Sequence, residues 1–422
     1  MITVIGITNH SEAIIAQYAR ISRSKKDAKE RLNEAISDKY KTQKTIERVL
    51  GYGHDNILES VNLILEIEGS RLGLRDILMH RLISPIEMSQ RYVKINEKDF
   101  YKPKEIKGKA GKLFEKDLEL KIKSYYHFYE KLKDFYVHNN MNDKVASGLA
   151  KEDARYFLPN YTKTRVQVNA NLRNWLYLLS ELKSSPLHEH LEIANELEKI
   201  IAENFPTAFK VKSKELLTLE SEKRLPKLTK NHFDYKVRLF DYLIPSSILE
   251  ESIPSDRKEE LTIFQFELAM SQSATRQFLR HRMQSFMILD ESIKDYVLPE
   301  SFKEANLEND ADKIFKEINL NLELAKGIDE RIARYMLTNA HKVHSITSLN
   351  LRELRKVSAL RECLKAQCEI RETVKEMTNT IKRILPSKKD KFGPKCIQLG
   401  YCPEKENTCG KLNEVKKEYG II

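Results

Sequence analysis

No apolar run in this sequence approaches the length of a membrane span, and no cysteine occurs before Cys363. The first absence excludes a helical membrane protein. The second, with an odd total of five cysteines (Cys363, Cys368, Cys396, Cys402 and Cys409), argues against a disulfide framework. The last three sit in FGPKCIQLGYCPEKENTCG, too loosely spaced for the paired knuckles of a zinc ribbon. Reduced structural thiols are expected there, ahead of a local disulfide or a metal site, and no metal ligand is assigned. The familiar phosphate signatures are missing as well. There is no GxxxxGK[ST] loop, no GxGxxG after a strand and no HExxH, and GYGHDN at 51–56 fits none of them. HEH at 188–190 sets its histidines on different sides of a strand or helix turn. A chain of this kind that handles phosphates does so with arginines. The opening MITVIGIT reads as a first strand, because the polar stretch after it lacks a cleavage pattern, and a cytoplasmic enzyme is the expectation.

What is present is a soluble, globular composition. The 422 residues, 41% hydrophobic and 32% charged, allow two ordinary domains, each with its own core. The net charge of +11 suits either nucleic acid or small phosphorylated ligands. Lysines and arginines are scattered through amphipathic segments, apart from a lysine-rich bridge at 210–230, which favours a solvated surface over a nucleic-acid groove.

The chain is also a tandem repeat. GSRLGLRDILMHRLISPIEMSQRY at 69–92 is followed by ARYFLPN at 154–160 and NLR at 171–173. TRQFLRHRMQSFMILDESIKDY at 275–296 is followed by ARYMLTN at 333–339 and NLR at 350–352. The ARY and NLR blocks are displaced by 179 positions (Ala154 to Ala333, Asn171 to Asn350), the His-Arg block by 201 (His80 to His281). The first copy therefore carries about 22 extra residues between these blocks, expected to be a surface insertion. VNLILEIEG at 61–69 predicts a buried strand running into a helix to about Arg81, and TIFQFELAM at 262–270 with a helix to Arg282 repeats the unit. A loop is expected after each. RVQVNA and HSITSL are short strands leading into NLR helices, and 366–385 is an amphipathic helix ended by Pro386. Strands interleave with helices without a regular βαβ series, so the fold class is α+β, with mixed or antiparallel sheets. The copies divide as 1–215 and 216–422, the boundary lying within 209–229.

Arginine forks recur at fixed offsets beside His and Gln: Arg91, Arg155, Arg280, Arg282, Arg334, Arg352 and Arg361. Such forks suit a phosphate dianion and never deprotonate. In these motifs the chain resembles the flavin-dependent thymidylate synthases, whose signature is Arg-His-Arg, seven residues, Ser, and an Arg two residues on. His80, Arg81, Ser89 and Arg91 match it in the first copy, and Arg280, His281 and Arg282 supply the triplet in the second, with Gln277 three residues before it. GHDNILESVNLILEIEG, EDARYFLPN, NLRELRKVSALRECLKAQCEIRE and the FGPxC tail resemble the family as well.

The departures from the pattern are complementary. The first copy has Met79 for the first arginine, Asp76 for the glutamine and no counterpart of Arg361; the second has Asp290 for the serine and no loop arginine. The resemblance implies one composite nucleotide site per chain, a pseudo-dimer. Gln277, Arg280 and Arg361 would come from the second copy, with Glu87, Ser89, Arg91 and Arg155 from the first. Only Arg334 survives of the opposite, dead site, so its replacement should leave turnover largely intact.

The family's chemistry implies conversion of dUMP to dTMP, with methylenetetrahydrofolate and NADPH as co-substrates and FAD as cofactor. Arg361 would stabilise the anionic pyrimidine as the catalytic group. FAD would be held by Arg280, His281, Arg282, Asn350 and Arg352, with His54 and Asn56 from the first copy. Lys356 stands where the family has Asn or His. Implied partners are dUMP, folate and a second chain, giving a homodimer that is a pseudo-tetramer, with no membrane and no nucleic acid. Two other classes fit the same residues: a flavoenzyme acting on another pyrimidine nucleotide, and a catalytically dead nucleotide- or RNA-binding paralogue.

Overall fold

The computed structural model describes residues 1–216, 225–244 and 255–421. Among them nine strands make two sheets. β1 (Ile2–Ile7), β2 (Asn62–Ser70), β3 (Ser84–Glu87) and β4 (Lys163–Asn171) form an antiparallel sheet in the order β1-β2-β4-β3. β5 (Lys227–Thr229), β6 (Val237–Leu243), β7 (Ile263–Ser271), β8 (Gln284–Tyr296) and β9 (His341–Asn350) form the second, in the order β5-β8-β9-β7-β6. Only β5 runs parallel to its neighbour. Alternation builds these strands: every second residue of β9, from His341 to Leu349, is buried.

The second sheet repeats the first, with β6, β7, β8 and β9 standing for β1, β2, β3 and β4. The edge strands even share an irregularity, a register shift between Val4 and Gly6 in β1 and between Leu239 and Asp241 in β6. The α+β class and the tandem, two-copy architecture expected from the sequence are what the structure has.

The local chemistry of each unit is also repeated. Ser70 ends β2 and caps the helix Arg71–Met79, accepting from Gly73 N at 2.9 Å. Ser271 ends β7 and caps Gln272–Phe278, accepting from Ala274 N at 3.0 Å. Each serine is held by a carboxylate. Glu189 accepts from Ser70 N and Oγ at 2.5 and 2.6 Å, and Glu369 from Ser271 N and Oγ at 2.7 and 2.6 Å. A Cβ at Gly73 would overlap the Glu189 carboxylate, whereas the second copy accommodates Ala274 at the matching place. Asn171 and Asn350 cap the helices Leu172–Lys183 and Leu351–Arg361. The expected C-terminal helix is present as Cys368–Ile384.

Two expectations are corrected. The helix expected to reach Arg282 stops at Phe278, because His281 N and Gln284 Nε2 both take the Phe278 carbonyl, at 3.0 Å each. The loop expected after it is instead β8, 13 residues long against four in β3. The extra length of the first copy lies partly in the 30-residue helix Lys109–His138, whose counterpart Glu308–Ile328 has 21 residues. Phe128 stacks on Phe157 at 4.6 Å and meets Phe302 at 5.1 Å, and Lys121 and Asp117 form a fully buried ion pair.

Contacts accordingly divide the chain into two compact units that do not follow a linear split at 215/216. One is Met1–Lys112 with Asn160–Leu225, the other Leu113–Pro159 with Pro226–Ile422. Of the boundary region 209–229, residues 217–224 lie outside the described residues. In the first unit the core joins Leu63, Leu65 and Ile67 of β2 to Val166, Val168 and Trp175. In the second it joins Phe264, Phe266 and Leu268 to Leu354, Val357, Met377 and other residues. No helix among the described residues is long and apolar enough to cross a membrane.

Candidate active site

The second unit contains a hydrogen-bonded run that begins in the first copy's ARY block and ends in the second copy's helices. Arg155 Nη2 donates to Gln367 Oε1 at 2.8 Å, and Gln277 Nε2 donates to the same oxygen. Gln367 Nε2 donates to the Tyr156 hydroxyl, which donates to Glu369 at 2.9 Å. Glu369 is the carboxylate that holds Ser271. From the other side, Arg361 Nη2 donates to the Gln277 carbonyl at 2.9 Å, and Arg361 Nε donates to His281 Nε2 at 2.9 Å. Four expected residues, Arg155, Gln277, His281 and Arg361, are thereby brought together.

The charge state of His281 follows from its partners. A guanidinium only donates, so Nε2 must be unprotonated and the proton sits on Nδ1, 4.0 Å from the buried Glu353. Burial, then the charges of Arg361 and Arg280, push the His281 pKa down to about 3. Burial also raises the Glu353 carboxyl above its ordinary range. A neutral His281 can hold the Arg361 plane; a protonated one cannot.

His341 is neutral for a related reason. Its Nδ1 accepts from Thr338 N at 3.0 Å, and burial followed by the Lys121 charge pushes it to about 3. Both histidines titrate near 6.5 when unfolded, so their stabilising contribution is complete above that pH and is lost as pH falls towards 3. Desolvation raises the Asp153 carboxyl to about 6, against the lowering effect of the Tyr136 and Ser301 hydroxyls that donate to it, and it acts in the opposite sense, losing stability as pH rises through 6. The two histidines therefore lower stability as pH falls below about 6, against the opposing Asp153 and Glu353 carboxyls. Urea denaturation between about pH 6 and 4 should show a smaller loss of stability on acidification in His341→Gln than in the parent.

The other expected residues of the second unit are arranged differently. Arg280 and Arg282 are exposed in the turn after Phe278. Asn350 spends its side-chain oxygen on Glu353 N at 2.8 Å, as a helix cap. Arg352 pairs with Glu260 and lines a cleft of about 430 Å³, together with Lys356, Ala359 and Leu360 of the same helix. Arg352 and Arg361 are nine residues apart, so they project from opposite sides of that helix.

The remaining expected residues belong to the first unit. Glu87 lies 3.7 Å from Arg71, Ser89 Oγ accepts from Arg91 N at 3.3 Å, and the Arg91 guanidinium lies 5.9 Å from the Tyr92 ring. His54 and Asn56 are exposed, His54 directly after Gly53, whose φ is +79°, and Asn56 in the short 3-10 helix Asp55–Ser60. His80, the counterpart of His281, faces a carboxylate rather than a guanidinium, with Nδ1 3.1 Å from Glu181. His190 of the HEH run is buried and bonded to Ser185 and the Gly73 carbonyl.

In the second copy, the stretch matching the Ser89 loop is part of the sheet. Asp290, Glu291 and Ser292 pair with Lys227, Leu228 and Thr229 of β5, while Asp290 and Glu291 also pair with His344 and Val343 of β9. Arg334 is buried against Glu291, which also accepts from Gln272 at 2.9 Å. Arg334 therefore serves the fold. Gln367 and Glu369 carry no sequence expectation. The recurrence of glutamate at 189 and 369, each in the first turn of the helix that follows the NLR helix, is the signal that marks Glu369.

A family model described as thymidylate synthase complementing protein (Thy1) matches residues 3–207 and 248–387. The flavin-dependent thymidylate synthase of Pyrococcus furiosus is similar at 37% identity over 166 residues, covering 35% of this chain and 68% of the relative. That of Clostridium tetani is similar at 26% identity over 213 residues, covering 50% of this chain and 85% of the relative. A solved structure of the UMP/dUMP methylase PolB from Streptomyces cacaoi, bound with 5-Br dUMP, has 18% identity and a TM-score of 0.40, covering 51% of this chain and 94% of that one.

Proposed function

Because the chain belongs to the thymidylate synthase complementing protein family, matched in two segments, we propose that it is a flavin-dependent thymidylate synthase converting dUMP to dTMP. Methylenetetrahydrofolate is the carbon donor in this reading, NADPH the reductant and FAD the cofactor. The observation that supports it most is the run from Arg155 through Gln367 and Gln277 to Arg361, which joins residues of both sequence copies.

Within this reading each residue has a physical task. Arg155, Arg280 and Gln277 bind the nucleotide by charge and hydrogen bonding. Arg361 stabilises negative charge on the pyrimidine, with its plane fixed by the neutral His281 and the Gln277 carbonyl. The participation of Glu87, Ser89 and Arg91 rests on the sequence pattern alone, as does that of His54 and Asn56. The cleft beside Arg352 fits a flavin in kind. Its volume is that of a small-molecule site, Ala359 and Leu360 offer apolar surface, and Arg352 and Lys356 offer cations for phosphate. A bound flavin supplies hydride chemistry; the protein holds and orients. A homodimer is proposed by the same likeness.

Titration of dUMP into the flavin-loaded protein tests the reading. One equivalent per polypeptide, and dTMP on addition of the folate and NADPH, is the expected result. Two equivalents would contradict the single-site model, and product from dCMP but not dUMP would reassign the substrate.

A further inference from the structure

The cleft beside Arg352 has a second wall, made by the C-terminal tail. Lys395 and Gln398 line it from the short helix Lys395–Leu399. This helix is firmly seated. Gly393 N donates to Ser358 Oγ at 2.8 Å, Gln398 Nε2 donates to the Gly393 carbonyl at 3.2 Å, and the Tyr419 hydroxyl donates to Glu362. Gly393 has a φ of +130°, and a Cβ there would come within 2.9 Å of the Tyr419 ring. The neighbouring Cys396 thiol is raised by burial and then by the thiols of Cys363, Cys402 and Cys409, which places the tail against the end of the Leu351–Arg361 helix.

The cations of the cleft differ in what neutralises them. Arg352 pairs with Glu260, and Arg355 with the buried Glu259 at 2.5 and 2.7 Å. Lys356 reaches Glu353 only at 3.9 Å, and Lys395 has no ion pair among the described residues. A cation without a carboxylate partner, lining a cleft that also offers the apolar Ala359 and Leu360, attracts an anionic ligand more than its paired neighbours do.

We infer that Lys395, seated by Gln398 and Gly393, binds the phosphate portion of the cleft's ligand, so that the tail forms part of the cofactor site. This rests on the flavin reading of the cleft. The tail is then needed for cofactor affinity and has no part in the chemistry on the pyrimidine.

Equilibrium titration of the flavin-free full chain with FAD, FMN and riboflavin, by flavin fluorescence, tests it. Lys395→Ala should weaken FAD binding roughly tenfold, the loss of one charge-assisted contact, and Lys395→Glu should weaken it further. Lys395→Arg should stay near the parent, riboflavin binding should not change, and the FAD loss should shrink as salt is raised. Arg352→Ala serves as the reference. If it weakens FAD binding while Lys395→Ala does not, the inference fails and the flavin reading stands. If neither variant changes FAD binding, the flavin reading of the cleft fails with it. An equal loss of riboflavin and FAD in Lys395→Ala would also overturn the inference, since riboflavin has no phosphate.

Discussion

Replacing Arg361 by alanine should lower turnover by about 10²–10³-fold with little change in thermal stability. The guanidinium is half-buried and donates to His281 Nε2 and the Gln277 carbonyl, two acceptors that solvent can serve when the side chain is removed. What solvent cannot replace is an oriented cation beside a pyrimidine that gains negative charge; such donors are worth about 3 to 4 kcal/mol. Arg361→Lys should recover little, because an ammonium cannot hold both acceptors and also face the ligand. Steady-state kinetics and a melting curve separate the outcomes. Unchanged turnover in Arg361→Ala would remove this residue from the catalytic role.

Arg334→Ala should have the opposite profile, destabilising the protein by about 3–5 kcal/mol. Its side chain is 1% exposed and faces Glu291, which is fully buried. Removing the cation strands that carboxylate in the interior. Replacing both charges together, as Arg334→Met with Glu291→Gln, should restore much of the stability, since the pair is costly to break but not costly to substitute as a unit. Thermal unfolding of the single and double variants decides this. A single variant with an unchanged melting temperature would show that the pair carries no structural load. Turnover measured well below the melting temperature should survive in Arg334→Ala, since loss of folded protein is the only route by which it acts.

The two arginines show how far the sequence could be read. Arg155 and Arg334 occupy the same place in the ARY blocks, so the repeat makes them equivalent. The structure makes them different. Arg155 joins Gln367, in a run with Gln277 and Tyr156, while Arg334 is locked to a glutamate. The cause lies in residues far along the chain. β5 zips Asp290 to Ser292 into the sheet, and Glu291 is then positioned for Arg334. A short three-residue strand across a long connection carries no periodicity from which this could be foreseen.

The His-Arg block shows the same division. Its position at the end of a strand–helix unit could be read from the buried-strand pattern that precedes each helix. The premature end of the second helix could not, because the Gln284 side chain that takes the Phe278 carbonyl lies beyond it.

The sequence by itself determined the two-copy frame, the strand and helix that begin each unit, and the set of residue types available for an anionic nucleotide. These depend on neighbours a few positions apart, so local spacing specifies them. Only the tertiary structure decided which arginines face the candidate site, that His281 is neutral, that Leu113–Pro159 packs with the second unit, and that the cysteine-bearing tail walls the cleft. Each of those depends on burial and on partners that are distant in sequence, and it is desolvation and long-range hydrogen bonding that fix a side chain's charge and direction.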